Sequence, residues 1–410
     1  MKRIILLSSI LSTTIACQQP KKEPVIASLK ATDLQDTLVF RMINDQVKQV
    51  SVNKSSVKSV NASDLIADFK YIPVETADSS LLGQYKNAYI LRDRIVIEDI
   101  ETNMAYIFDM KGKYINKIGR KGYGPGELFK MSSLAVDAYT NNVVLYDSFI
   151  KKMFYFSLAG DFLYDREMAL NSNQNFCFVS PNLLAFAINK TIENSQLKEL
   201  ERYNIIYTDS MLNVLGGTYP TVKNSPPEYS PYSYSFNRQH VAYTAPFSPD
   251  FYQFSGDTLI HKYHFDYKGF DKLFIDNSAD SDKIGDDDIS VFYSTRMLPP
   301  ILFTNRFLWF KTQTPQPSDE FYTLYDKTSE KSLSFRPLDL NYNIPFRFTS
   351  VLTTYDDYMV GYVPASVLME MKTAYDRAGE ALDSEIAEMI SGLQPDDNDI
   401  LVFFKPRALQ

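Results

Sequence analysis

The chain has 410 residues, of which 45% are hydrophobic, 14% aromatic and 22% charged, and its formal net charge is −8. Such a composition belongs to a folded protein with ample core, and the acidic balance excludes a general electrostatic pull on nucleic acid or anionic lipid. Tyr and Phe supply 28 residues each against a single Trp, a bias that suits pleated, half-buried positions and so points to β-sheet.

At the N-terminus, residues 1–16 have the form of a signal peptide. Lys2 and Arg3 give a basic start, and the apolar run of residues 4–15 is too short to span a bilayer as a mature helix. Ala16 followed by Cys17 resembles the lipobox of bacterial lipoproteins. That resemblance implies cleavage before Cys17 and lipidation of its thiol and new amino group. Only Cys177 then remains, so no internal disulfide is expected, and its apolar setting (NFCFV) suits a small core residue. Residues 17–63 are polar, contain Pro20 and Pro24, and read as a lipidated tether with one strand near residues 37–42.

The folded body is expected over residues 64–410, opening with FKYIPV. Residues 106–160 contain short strands divided by turn residues at Lys111-Gly112, Asn141-Asn142 and Ala159-Gly160, with no helix between them. This is the pattern of antiparallel sheet. The Gly112 turn returns 48 residues later at Gly160, a period that marks a propeller blade. Further turns of the same kind fall near Leu212, Gly256 and Ser329. The rhythm breaks only at an acidic insertion, FIDNSADSDKIGDDDIS. A last unit begins near Arg347 and holds a helical segment starting at Pro364 and stopping about Gly392. Five turn-marked units and this one predict an all-β, six-bladed β-propeller with a helical insertion in the last blade. Open edges invite aggregation, so the strand around residues 71–74 is expected to share a sheet with residues 400–404.

The segments FKYIPVET, KGKYINKIGRKGYGPGEL, VDAYTNNVVLYD, GDTL and DDNDILVFFK resemble the six-bladed β-propeller lipoproteins of Gram-negative bacteria. IGRKGYGPGEL and the strands after it are also similar to NHL repeats. The resemblance implies a propeller on the cell envelope, and the helical insertion looks like a family feature.

Candidate chemistry is sparse. The glycine-rich stretch GRKGYGPGE (residues 119–127) lacks the Lys-Ser/Thr and the following helix that a phosphate loop needs. It reads instead as a blade-to-blade connection in which Gly122, Gly124 and Gly126 open backbone angles denied to other residues. Arg120 and Lys121 on it are candidate ligand contacts. His261 and His264 lie three apart, which on a regular strand puts them on opposite faces and argues against a shared metal. The acidic insertion lacks the ligand spacing of a calcium loop, and no nucleophile motif is present. No metal or other cofactor is expected. The loop PPEYSPYSYSF offers Tyr229, Tyr232 and Tyr234 as recognition residues, since flat faces with hydroxyl edges suit sugars or peptides. Packing of these rings onto a neighbouring blade is the alternative.

These observations favour an envelope binding or scaffolding module for a glycan, a peptide or a partner protein, more than an enzyme. It would be held to the membrane through its lipid anchor at Cys17 and would have no nucleic-acid partner. A lyase or glycoside hydrolase with its site at the channel mouth is the alternative. No acidic run follows Cys17 (QQPKKEP), which favours an outer-membrane lipoprotein facing the periplasm over one exposed on the surface.

Overall fold

The computed structural model describes residues 38–171, 175–188, 192–220, 234–245, 248–270, 295–316 and 319–410. Six small sheets form a ring, each built on four antiparallel strands, here termed A to D from the axis outwards. Blade 1 comprises Tyr85–Leu91, Arg94–Asp99, Met104–Asp109 and Tyr114–Ile118. Blade 2 runs from Ser133–Asp137 to Phe162–Glu167, blade 3 from Phe176–Ser180 to Val214–Pro220, and blade 4 from Tyr234–Asn237 to Thr258–Lys268. Arg296–Phe303 opens blade 5 and Lys331–Phe335 closes it. The architecture is the predicted six-bladed β-propeller.

Each blade is covered on both sides, so its middle strands are apolar throughout rather than alternating. Ile95, Val96 and Ile97 are all fully buried, as are Val143, Val144 and Leu145. Burial of both faces explains runs such as RIVIED and NVVLYD, which a half-solvated sheet would break with polar residues. The core is therefore a ring of six apolar wedges, one between each pair of successive blades.

The turns that betray the repeat join strands C and D. Gly112 and Gly160 adopt φ of 82° and 84°, and a Cβ on Gly112 would stand 1.9 Å from the Pro73 carbonyl oxygen. Each turn is closed by a side chain at the end of strand C. Asp109 Oδ1 accepts from Lys111 N and Lys113 N at 2.8 and 2.9 Å. Ser157 Oγ does the same for Ala159 N and Asp161 N, and Asp209 Oδ1 for Met211 N and Asn213 N. Such short side chains satisfy turn amides that would otherwise lack partners.

Blade 6 closes the ring as expected. Its strands are Ser350–Tyr355, Tyr358–Val363 and Ile400–Pro406 from the C-terminal end, with Ile66–Ile72 from the N-terminal end as strand D. Leu401 pairs with Ile72, Val402 with Tyr71 and Phe404 with Phe69. The insertion between strands B and C is two helices, Ala365–Ala378 and Ser384–Ser391, where the sequence pattern suggested one segment. Gly379 at φ 69° ends the first, and Asp383 caps the second by accepting from Glu385 N at 2.9 Å.

From residue 38 onward, the segment read as a tether lies along the propeller. Leu38–Val39 pairs in parallel with strand D of blade 3, and Met42–Ile43 and Lys48–Asn53 pair with strand D of blade 4. Val57 bridges to Ser334 of blade 5, and Val60–Asn61 pairs with Leu340–Asn341. This strap buries Val50 and Val52 in the wedge between blades 4 and 5. It covers edges that would otherwise be open to another chain.

Candidate functional site

The two ends of the ring differ sharply. At one end every A–B and C–D turn is short, from two residues (92–93, 238–239, 356–357) to four (110–113, 158–161, 327–330). At the other, the connecting face, lie the blade-to-blade links and the B–C turns. Residues 119–132, 336–349 and the helical insertion at 364–399 all emerge there. Loops carry function when a rigid scaffold presents them, so the connecting face is the candidate working surface.

The axis is shut. Phe236 of blade 4 meets Tyr89 of the opposite blade 1, ring centroids 5.5 Å apart, and Tyr89 Oη donates to the Leu134 carbonyl of blade 2. Nearer the tight-turn end, Asn237 Nδ2 donates to the carbonyls of Phe303 and Asp356. Thr354 Oγ1 donates to those of Phe236 and Phe303. Three inner strands are thereby laced together. The cavity of about 280 Å³ beyond them is lined by Arg92, Asn141, His240 and Tyr355 and by Arg238, which is paired with Asp356.

On the connecting face a cavity of about 540 Å³ opens between blades 1 and 2. Two buried carboxylates, Asp99 and Asp147, hold its walls from matching positions at the end of strand B. Asp99 accepts from Gly83 N, Gln84 N, Glu101 N and Thr102 Oγ1, the last at 2.7 Å. Asp147 accepts from Phe129 N and Lys130 N at 2.7 and 2.9 Å, and from Phe149 N at 3.0 Å. Each carboxylate thus staples a B–C turn to the link entering its own blade. The two lie 48 residues apart, a spacing equal to the Gly112–Gly160 period, and that equality is the signal by which they could have been found.

Other polar groups of this cavity are spent on one another. Lys86 Nζ contacts Glu98 Oε1 at 2.5 Å, and Asn87 donates to Glu98 Oε2. Ser132 and Ser148 share a 2.7 Å hydrogen bond. The Asn103 carboxamide, in the orientation its neighbours require, bonds both N and O of Met131 at 3.0 Å. The lip is apolar and cationic instead. Ile100, Phe129, Phe149 and Ile150 stand exposed, with Lys121 Nζ 5.3 Å from the Phe129 ring and Lys130 Nζ 6.0 Å from that of Phe149.

The link GRKGYGPGE connects blades, as read, but its glycines differ in role. Gly126 alone among Gly122, Gly124 and Gly126 has positive φ, at 76°. At Gly122 a Cβ would fall 2.0 Å from Glu127 Oε2, and Glu127 accepts from Gly124 N at 2.8 Å. Arg120 and Lys121 are exposed on this link. Tyr234 is buried at the start of the inner strand of blade 4, against Tyr243 and Phe254. Cys17, Tyr229 and Tyr232 lie outside the described residues, as does the acidic run.

The histidines correct an expectation. A bulge in blade 4 sets Tyr252 opposite His261 but Phe251 opposite Tyr263, leaving one extra residue in strand D. The alternation slips by one, and both rings turn to the same carboxylate oxygen, Asp250 Oδ1, at 3.0 Å from His261 and 2.7 Å from His264. Burial would raise the Asp250 carboxyl, but hydrogen bonds from His261, His264 and Ser248 hold it below its usual value. Burial pushes the neighbouring Tyr252 hydroxyl up, with Tyr219 and Asp250 beside it. Among the described residues no group of three or more His, Cys, Asp or Glu side chains is arranged to hold a metal ion.

Ring, closed axis and loop-bearing face together define a six-bladed β-propeller of the kind that presents loops from a rigid frame. The chain belongs to the family Domain of unknown function (DUF4934), whose model matches residues 46–405. It is similar in fold to a crystal structure from Bacteroides fragilis of a protein described as exported by inference. That likeness has 19% identity and a TM-score of 0.70, covering 88% of this chain and 100% of the other. A member of the DUF4221 family from Bacteroides vulgatus matches at 8% identity and a TM-score of 0.48, over 84% of this chain and 97% of that one. No curated protein matches. Among the described residues no helix is long and apolar enough to cross a membrane.

Proposed function

We propose that this chain is an envelope lipoprotein that binds or scaffolds through its connecting face, taking a glycan, a peptide or a partner protein. The carrying observation is the asymmetry of the ring: the tight-turn face is held to minimal turns, while the long links and the helical insertion share the other. The plugged axis and the self-paired polar groups around it support binding over chemistry. The signal-like N-terminus with Ala16-Cys17 supports a lipid anchor, and the absence of an acidic run after Cys17 (QQPKKEP) supports the periplasmic side of the outer membrane.

The test is a screen of the purified chain against glycan and peptide libraries, with binding and turnover followed together. Saturable binding without product is expected. Product formation would instead establish the lyase or glycosidase alternative. For the anchor, Cys17→Ala should release the protein from membranes washed in about 1 M salt, where surface attractions are screened within about 3 Å. Retention of the variant after that wash would remove the anchor from the reading.

A further inference from the structure

At the tight-turn end of the axis, opposite the long links, the cavity of about 280 Å³ is a blind cup. The hydrogen bonds of Asn237 and Thr354 close its floor, and turns and strand ends of blades 1, 2, 4 and 6 make its wall. Arg92, Arg238 and His240 stand on that wall, and no carboxylate does. The acids of the surrounding turns are already engaged. Asp93 pairs with Arg94, Asp356 with Arg238, and Asp137 accepts from the amides of Tyr139 and Thr140, while Asp357 lies beside Lys327. Arg238 is also held over the Tyr355 ring, 5.2 Å from its centroid. Among the described residues, the Arg92 guanidinium and the His240 ring have no partner. Asn141, fixed at φ 61°, has a buried side-chain oxygen with no donor.

The chemistry of the occupant follows from these unspent groups. An unpaired guanidinium fork takes a carboxylate, and an orphaned acceptor takes a donor. Turning the Asn141 carboxamide about its terminal bond would bring its oxygen to the cup. An ammonium donor would be repelled by the two guanidiniums, so the donor is a hydroxyl. Sites for drug-sized ligands begin at about 300 Å³, so a cup of this volume holds a molecule of one sugar ring or less. We propose that the cup binds a small hydroxy-carboxylate, either a sugar acid or a short aliphatic hydroxy acid. Arg92 and His240 meet its carboxylate, Asn141 accepts from its hydroxyl, and Ile90 and Leu91 supply the apolar part of the wall. The site lies on the face away from the long links, so it stands or falls independently of binding there.

Calorimetric titration of the full-length chain with D-glucuronate, D-gluconate and L-lactate tests this, in a buffer free of carboxylates. D-glucose, which lacks the carboxylate, and acetate, which lacks the hydroxyl, are the controls. At least one of the three hydroxy acids should bind saturably at one per chain, and neither control should match it. Preference for D-glucuronate marks a ring sugar acid, and preference for L-lactate a short aliphatic one. Arg92→Gln and His240→Gln should each weaken that binding about tenfold, the worth of one charge-assisted hydrogen bond. Arg92→Lys, which keeps the charge without the fork, should fall between wild type and Arg92→Gln. Both side chains are exposed, so the variants should melt with the wild type and the losses read binding. Lys130→Gln, on the opposite face, should change nothing. No binding by any of the three hydroxy acids overturns the proposal; so does equal binding of acetate, or affinity indifferent to Arg92→Gln.

Discussion

Asp326 shows how much a single buried carboxylate can gather. Arg306 donates to both its oxygens at 3.0 and 2.8 Å, Thr328 N to Oδ1, and Leu409 N, almost at the C-terminus, to Oδ2. Burial alone would raise its carboxyl, but these donors bring it down to about 2, from an ordinary 3.8. With the folded value the lower of the two, its contribution is complete above the ordinary value and is lost as pH falls towards 2. A shift of this size corresponds to about 2 kcal/mol. Asp326→Asn should therefore lower the unfolding free energy by roughly that amount at neutral pH, measured by urea denaturation. The gap between variant and wild type should narrow through the acid range; a gap independent of pH would show that the carboxylate's charge is not what matters. Asp99 and Asp147 likewise gather backbone amides from the segments beside them. In sequence they are two acids among 50, and only the amides they accept from in the fold reveal their structural role. The histidines failed in the other direction. Strict alternation separated His261 from His264, and one bulged residue reunited them, because a bulge leaves no mark in local composition.

At the scale of elements, blade closure was legible and the strap was not. Strand Ile400–Pro406 is an apolar run whose partner, Ile66–Ile72, is the first well-patterned strand of the body. Deleting residues 399–410 would strip strand C from blade 6 and leave Ile66–Ile72 without its ladder. Cooperative thermal unfolding should then disappear, and a variant that melts like the intact chain would show that the ring does not depend on this seal. The strap segment KQVSVN carries a weak pattern, and its partner strand begins at Thr258, some two hundred residues away. Parallel pairing over that separation has no local turn to announce it. If the pairing holds in solution, amides of residues 48–53 will exchange with solvent as slowly as those of blade strands. Exchange at the rate of an unstructured peptide would mean that the strap detaches. The helical insertion was seen as one unit because its apolar spacing runs on past Gly379, where the left-handed backbone ends the first helix.

For the whole molecule, the decisive property is asymmetry between two faces made from one repeat. Net charge argues against a general attraction of the molecule to anionic lipid. Six of the exposed apolar side chains of the described residues gather on one of those faces, on the links and turns of blades 1 and 2.

Blade number, turn positions and the joining of both chain ends into one blade could be read from residues alone. Each depends on signals closed within a few residues, such as a glycine at positive φ or an apolar run between turns, and the ring then has few other ways to close. Which side chains face each other across the axis, which oxygen receives two histidines and where lysines collect beside exposed rings were set only in three dimensions. Those arrangements join segments far apart in the chain, and blade twist and bulges, not local composition, fix where their side chains meet.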